Sequence, residues 1–525
     1  MVSNSPSMLK RIAHSFVAFF FGQSIGVVAS LILVPLYLHV WSAALYGEWL
    51  ALYSAVAYLS MLDMGVQAYA VNRMTRAYAR GDLQEYRQIQ HSAFALYSSV
   101  AAVGTAAVAI LAFCAPIRSW FHLTTTDQLS VSIVVLLLGA QLLWTLPGSL
   151  VFHVYATTGN LPRSQWVANG LRTLTLVLTA AALVFWPKLP VLATVQLGCF
   201  LAVFLFVLWD VRRRFPGLLP GWRCADFSLL GAVFKQSLLF ALIDLAIGAA
   251  LQGSNLIVAV VIGATGLALF ATTRTLANSI RQLVGLFVNA ASTDLTRMEA
   301  LEDKSRLQLA FRLLVFTTVA ISLAISASLW FEGASVFSIW THGKLLPDQF
   351  LLRTFLLWLV LQSPWMAASA IPLYTNKHRL LAICYVLSTI GGLSVGVVLM
   401  PRLGLAALPA GFILSEGIAC YHFVVHDACR IVGQKYRPFA ARLWMGLSVM
   451  ATGAMFATWA VHSATGLSNV SRWMCSGVAS TAAVGLGTWL VWLREEERLF
   501  LQNKTGLGLR VLERALPLRF RPSSG

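Results

Sequence analysis

The 525 residues are 58% hydrophobic and only 11% charged, with a mean hydropathy of +0.74, far from the roughly 25% charged residues of a soluble globular chain. A water-soluble domain is excluded. The net charge of +18 would suggest nucleic acid in a soluble protein, but here the cations sit in short loops beside apolar stretches, so the expected partner is the anionic lipid of a membrane leaflet and not nucleic acid.

Apolar segments run approximately over 12–38, 46–68, 93–115, 131–153, 167–186, 190–209, 234–262, 265–292, 309–331, 350–373, 380–400, 406–425, 443–462 and 471–493. Each approaches or exceeds the roughly 20 residues that cross a bilayer as a helix. Lipid offers no partner to an unpaired backbone group, and no alternating barrel pattern appears, so an all-α polytopic protein of about 14 transmembrane helices is expected. The first segment is too long for a signal-peptide core and lacks a small-residue cleavage site; a retained span is predicted.

Most of the 38 Lys and Arg fall on one side when the N-terminus is placed inside. Arg73, Arg76, Arg80 and Arg87 follow the second segment, Arg212, Arg213, Arg214 and Arg223 the sixth, Arg297, Lys304 and Arg306 the eighth, Lys377 and Arg379 the tenth, and Arg430, Lys435 and Arg437 the twelfth. The opposite connections hold one or two cations each, such as Arg118, Lys188 and Arg402. This positive-inside asymmetry predicts an inner-membrane protein with both termini cytoplasmic. The tail after residue 493 interleaves Leu507, Val511, Leu512 and Leu516 with cations, a pattern that suits a helix lying on the membrane surface and equally a frayed basic tail. The seven cysteines show no paired spacing, so no disulfide framework is expected.

The first and seventh segments are both long, and each meets a short turn, at 39–45 and 263–266. This weak echo, offset by about 220 residues, suggests two related halves with a substrate site between them. The expected organisation is a six-helix bundle over 1–215, a second over 216–430, a helix pair over 431–493 and a basic tail over 494–525. No connection is long enough to fold as a domain; the largest on the charge-poor side, 332–349, has fewer than about twenty residues, where membrane glycosyltransferases and polymerases need more.

Ionisable groups inside a span are costly and so mark function: Asp63, Asp244, Arg274, Arg281 and Glu416. Arg274, Asn278 and Arg281 fall at i, i+4 and i+7, one polar stripe on one helix. Asp244, Gly248, Gln252 and Asn255 follow similar spacing on the preceding helix, and the two stripes imply a shared hydrated cavity. The guanidinium fork suits a phosphate-bearing substrate; a structural Arg274–Asp244 pair would use the same residues. Asp244 and Glu416 are candidates for coupling to a proton or sodium gradient, against structural pairing. Asp63, with Gln67 on its face, and Arg172, about a turn inside the fifth segment, lie where long side chains can snorkel. His422, His426 and Cys429 have metal-ligand spacing, but they lie where the segment leaves the membrane, so isolated interfacial side chains and no metal are expected. There is no P-loop, HExxH, GxSxG or dinucleotide fingerprint, so neither catalysis nor a cofactor is assigned, and gradient-driven transport is the expectation.

The run Tyr46-Gly47-Glu48-Trp49-Leu50-Ala51-Leu52, then Tyr58-Leu59-Ser60-Met61-Leu62-Asp63-Met64-Gly65, then the basic loop from Asn72-Arg73-Met74 to Arg87, resembles the polysaccharide-transporter branch of the multidrug/oligosaccharidyl-lipid/polysaccharide (MOP) flippase superfamily. The resemblance implies two bundles around a V-shaped central cavity and alternating access. Its implied substrate is an oligosaccharide on a polyprenyl diphosphate, flipped across the bacterial inner membrane for O-antigen, capsule or exopolysaccharide synthesis, with a polymerase and glycosyltransferases as partners. The resemblance implies cavity cations for the diphosphate and for sugar acids, which places Arg274 and Arg281 in that role by position in the eighth helix alone. A multidrug cation antiporter of the same fold, with acidic cavity residues, and an intramembrane glycan polymerase or transferase are the rival classes.

Overall fold

The computed structural model describes residues 8–63, 66–223, 225–226, 242–300, 304–375, 377, 379–464 and 466–492, all helical or in turns. In chain order the main helices are α1 Met8–Val40, α2 Ala43–Ala57, α3 Val66–Ala79, α4 Leu83–Cys114, α5 Gln128–Thr157, α6 Leu161–Phe185, α7 Leu189–Arg214 and α8 Leu242–Val261. There follow α9 Ala264–Ala300, α10 Lys304–Trp340, α11 Gln349–Ala368, α12 Arg379–Leu403, α13 Ala407–Ala419, α14 Phe423–Val432, α15 Tyr436–Ser463 and α16 Asn469–Gly487. The basic tail and residues 227–241, the start of the seventh predicted segment, lie outside the described residues.

The chain is a multi-pass membrane protein: eleven described stretches are long and apolar enough to cross a bilayer. The difference from the predicted number has three sources. α2 has 15 residues and continues only as a 3-10 turn over Tyr58–Asp63. α9 carries the arginines that break its apolar run. α12 and α13 form one apolar stretch of 41 residues, yet the chain reverses at Gly404, whose φ of +55° suits glycine. Small residues let the two helices pack antiparallel: a Cβ at Gly392 would sit 2.5 Å from the Phe412 ring, and one at Gly396 2.7 Å from Leu408.

Several helices outrun their apolar segments at the basic end. The basic loop after the second segment contains α3, and Asp82 starts α4 by accepting the Glu85 amide at 2.9 Å, satisfying an end N–H that the helix cannot. Arg73 and Arg80 both donate to Glu85, at 3.0 and 2.6 Å. Cations that set topology thus also tie α3 to α4. At the charge-poor end α10 continues to Trp340, so half of 332–349 belongs to that helix and is not loop.

The first half has two cores. Val34, Leu38, Trp49 and Leu52 pack with Leu138 and Leu183 near the charge-poor end, and Tyr86, Tyr97, Val154 and Val211 fill the basic end. In the second half Phe311, Phe316, Trp365 and Leu443 form the largest core, to which α15 and α16 are bound. Phe316 stacks on Trp492 at 4.8 Å, an offset contact favoured by aromatic quadrupoles, and Trp492 donates to the Arg442 carbonyl at 3.2 Å.

The N-terminal helices meet the later ones where α2 packs against α8 and α9 and α1 against α9. A Cβ on Gly47 would fall 1.8 Å from the Ala264 carbonyl oxygen, so only glycine permits this approach. Deeper, Asn255 Nδ2 donates to Ser54 Oγ at 2.7 Å, both residues buried.

Candidate functional site

α9 starts at the charge-poor end and reaches Arg274 ten residues in, roughly 15 Å along the axis and near mid-bilayer. Arg274, Asn278 and Arg281 line a narrow, partly open cleft with a cavity volume of about 40 Å³. Its other walls come from α8, α11, α12 and α13, and Glu416 of α13 closes the far side. Every residue bounding this space belongs to the second half. Arg274, Asn278, Arg281 and Glu416 are therefore brought together, whereas Asp244, Asp63 and Arg172 lie elsewhere.

Arg274 is anchored by Nη1 donating to the Leu251 carbonyl at 2.8 Å and by lying over the Phe270 ring at 5.5 Å, a cation–π contact that partly replaces lost hydration. Leu251 sits in a π-helical turn, Ala249–Gly253, in the middle of α8. Arg281 has no hydrogen bond or ion pair among the described residues, but acts electrostatically on Arg274, Glu416 and Tyr385. Glu416 is 3% exposed. Its carboxylate accepts Gln362 Nε2 and Trp365 Nε1, each at 3.0 Å. The space thus contains two cations and one carboxylate, so among the described residues one positive charge is uncompensated. An unpaired charge in a low-dielectric interior costs several kcal/mol, roughly the term an anionic ligand would remove.

The alternative structural pair, Arg274 with Asp244, does not form among the described residues. The stripe Asp244, Gly248, Gln252 and Asn255 does not border this space. α8 presents Ile247, Ala250, Leu251 and Ser254 there instead. Gly248 faces Met61, Gly253 faces Tyr58 and Asn255 bonds Ser54, so that face looks toward the first half. The π turn adds a residue to one turn and breaks the regular spacing along α8. Asp244 is exposed and within electrostatic reach of Asp63. Asp63 accepts Tyr97 Oη in a short contact and the Gln67 amide at 3.3 Å, capping α3; Gln67 Nε2 meets His153 Nδ1 at 3.2 Å. Arg172 is exposed on α6, its Nη1 within 2.7 Å of where a Gly22 Cβ would be. His422 Nδ1 pairs with Tyr436 Oη at 2.8 Å and His426 packs edge-on to the same ring, while Cys429 is buried.

The Tyr-Gly-Glu-Trp motif acquires a physical account. Tyr46 and Trp49 are core, Tyr46 lying within electrostatic reach of Arg274. Gly47 admits the Ala264 carbonyl. Glu48 is completely buried, and its carboxylate accepts the amides of Thr124 and Thr125, at 2.6 and 2.7 Å, and the hydroxyl of Thr126. It latches the loop between α4 and α5 to α2. Sequence reasoning missed Gln362, Trp358 and Trp365, although a glutamine beside Pro364 within an apolar run was a visible signal.

No family model matches the chain, and no curated protein matches it in sequence. Its fold is that of solved MOP-superfamily transporters. The lipid II flippase MurJ, inward closed, superposes with a TM-score of 0.69 at 10% identity, covering 94% of this chain and 99% of that one. An inward-facing multidrug resistance transporter of the MATE family gives 0.64 at 16% identity, over 77% and 95%. A MOP-superfamily transporter from Pyrococcus furiosus, described by the reversed polarity of its binding pocket, gives 0.58 at 14% identity, over 81% and 96%.

Proposed function

We propose that this protein is a flippase that carries a polyprenyl-diphosphate-linked oligosaccharide across the bacterial inner membrane, by alternating access, for surface polysaccharide synthesis. The observation that carries this reading is the positive charge of the Arg274–Asn278–Arg281 stripe, uncompensated among the described residues and lining a cleft between membrane-spanning helices. Two guanidinium groups roughly 10 Å apart along one helix suit a diphosphate better than a single phosphate, since each can offer a charge-assisted fork. The likeness in fold to a lipid II flippase over 94% of the chain supports a lipid-linked cargo. In this mechanism the head group enters from the basic end, the arginines replace its hydration, the prenyl tail stays in lipid, and parting of α2 from α8 and α9 releases the head group on the other side.

Alanine at both Arg274 and Arg281 is the test. Loss of polysaccharide export with normal membrane abundance is expected; normal export by the double variant overturns the reading. A second reading, antiport of organic cations, draws on Glu416, the aromatic walls and the likeness to MATE transporters. Uptake of ethidium by liposomes containing the purified protein, driven by a proton or sodium gradient, would favour it.

A further inference from the structure

The hydrogen-bonding groups left open around the cleft specify more than an anion. Trp358 Nε1 is a buried donor that reaches no acceptor in good hydrogen-bond geometry, although it lies close enough to the Glu416 carboxylate to act on it. Gln362 spends its Nε2 on Glu416, and its Oε1 accepts nothing among the described residues. Glu416 receives two hydrogen bonds, while a carboxylate has about four lone-pair sites. Arg281 keeps all of its donors. Acceptors at Gln362 and Glu416 are therefore interleaved with donors at Trp358 and Arg281.

A bare phosphate, which only accepts, would satisfy the arginines and leave Gln362 and Glu416 open. An organic cation would suit Glu416 and repel Arg281. Only a ligand with an anionic end and, beside it, groups that both donate and accept satisfies the whole set; hydroxyls and amides do this. The neighbouring wall is aromatic: Trp358 stacks on Phe412 at 4.9 Å and Phe355 packs on Phe270 at 5.4 Å. Such a wall offers apolar surface for the carbon–hydrogen faces of a pyranose.

We infer that Trp358, Gln362, Phe412 and Glu416 form a subsite for a neutral sugar ring, placed next to the diphosphate held by Arg274 and Arg281. The inference rests on the flippase reading and assigns the sugar joined directly to the diphosphate. An acidic sugar is disfavoured there because its carboxylate would face Glu416, and like charges in low dielectric repel strongly.

The test uses full-length protein in lipid nanodiscs and measures binding of undecaprenyl diphosphate carrying no sugar, one neutral sugar (glucose, galactose or N-acetylglucosamine) or glucuronic acid. At least one neutral sugar is expected to bind about tenfold tighter than the bare carrier, one charge-assisted hydrogen bond being worth that much, and glucuronic acid no tighter than the bare carrier. Trp358→Phe, which keeps the ring and loses the N–H, and Glu416→Gln, which keeps the shape and loses the charge, should each remove most of the neutral-sugar advantage over the bare carrier, and Glu416→Gln should bind the bare carrier at least as tightly as wild type because a carboxylate facing Arg281 is gone. Glu416→Gln should also admit glucuronic acid. If the bare carrier binds but no neutral sugar improves on it, the subsite is refuted and the flippase reading stands. If no carrier binds the wild-type protein, both fall. The comparison among carriers on the wild type needs no variant to fold.

Discussion

Two regions of the molecule, one around Asp210 and Glu48 and the other around Arg274 and Arg281, answer the cost of burying charge in opposite ways. In the first, charged side chains close on one another. Asp210, 2% exposed, accepts Arg163 through two hydrogen bonds of 2.9 and 2.7 Å, Arg214 at 2.9 Å and Tyr155 Oη at 2.6 Å, and Glu48 is sealed by three donors of one loop. In the second, Arg281 is unpaired among the described residues, Arg274 has a carbonyl where a carboxylate would be stronger, and Trp358 Nε1 reaches no acceptor in good hydrogen-bond geometry. Satisfied charges hold a structure together, whereas unsatisfied ones wait for something that is not part of the chain. The contrast supports the proposal that the ligand is held at Arg274 and Arg281.

The contrast breaks most visibly at the arginines. The Arg274→Ala, Arg281→Ala double variant is expected to lose export to background while its thermal unfolding in detergent stays the same or rises, because an unpaired buried charge has been removed; a fall in melting temperature with export retained would invert the comparison. Glu48→Ala should act in the opposite sense. It leaves two amides without a partner and is expected to cost about 3 kcal/mol of stability, read as a lower melting temperature, with transport per folded molecule unchanged. Gly47→Val tests the seam between the halves: overpacking against the Ala264 carbonyl should cost the closed arrangement about 2 kcal/mol, so a cysteine at Ser54 in a cysteine-free background should react faster with a membrane-impermeant thiol reagent. Asp210→Asn should have the smallest effect, about 1 kcal/mol, since both of its arginines reach solvent and screening weakens the pair; export is expected to be normal.

How much of this was legible in the sequence depended on whether a residue's meaning is local. Arg274, Asn278 and Arg281 were legible because their spacing on an apolar helix forces them onto one face, and Glu416 because a lone carboxylate in a span is conspicuous. The role of Glu48 was not, since its partners lie more than seventy residues away in a loop. The facing of Asp244, Gly248, Gln252 and Asn255 was missed for a different reason. Regular helical spacing was assumed, and nothing in Ala249–Gly253 announces a π turn. α3 was hidden by its own composition, a polar helix outside the bilayer looking like a loop.

The π turn has one more consequence. Its Leu251 carbonyl is where Arg274 rests, and the same helix, two residues later, faces Tyr58 across the seam. An anion that draws the guanidinium away leaves that carbonyl without its donor, in the one turn of α8 that holds a surplus residue. On the proposed flippase reading, cargo and seam would be connected through a single peptide group, the Leu251 carbonyl.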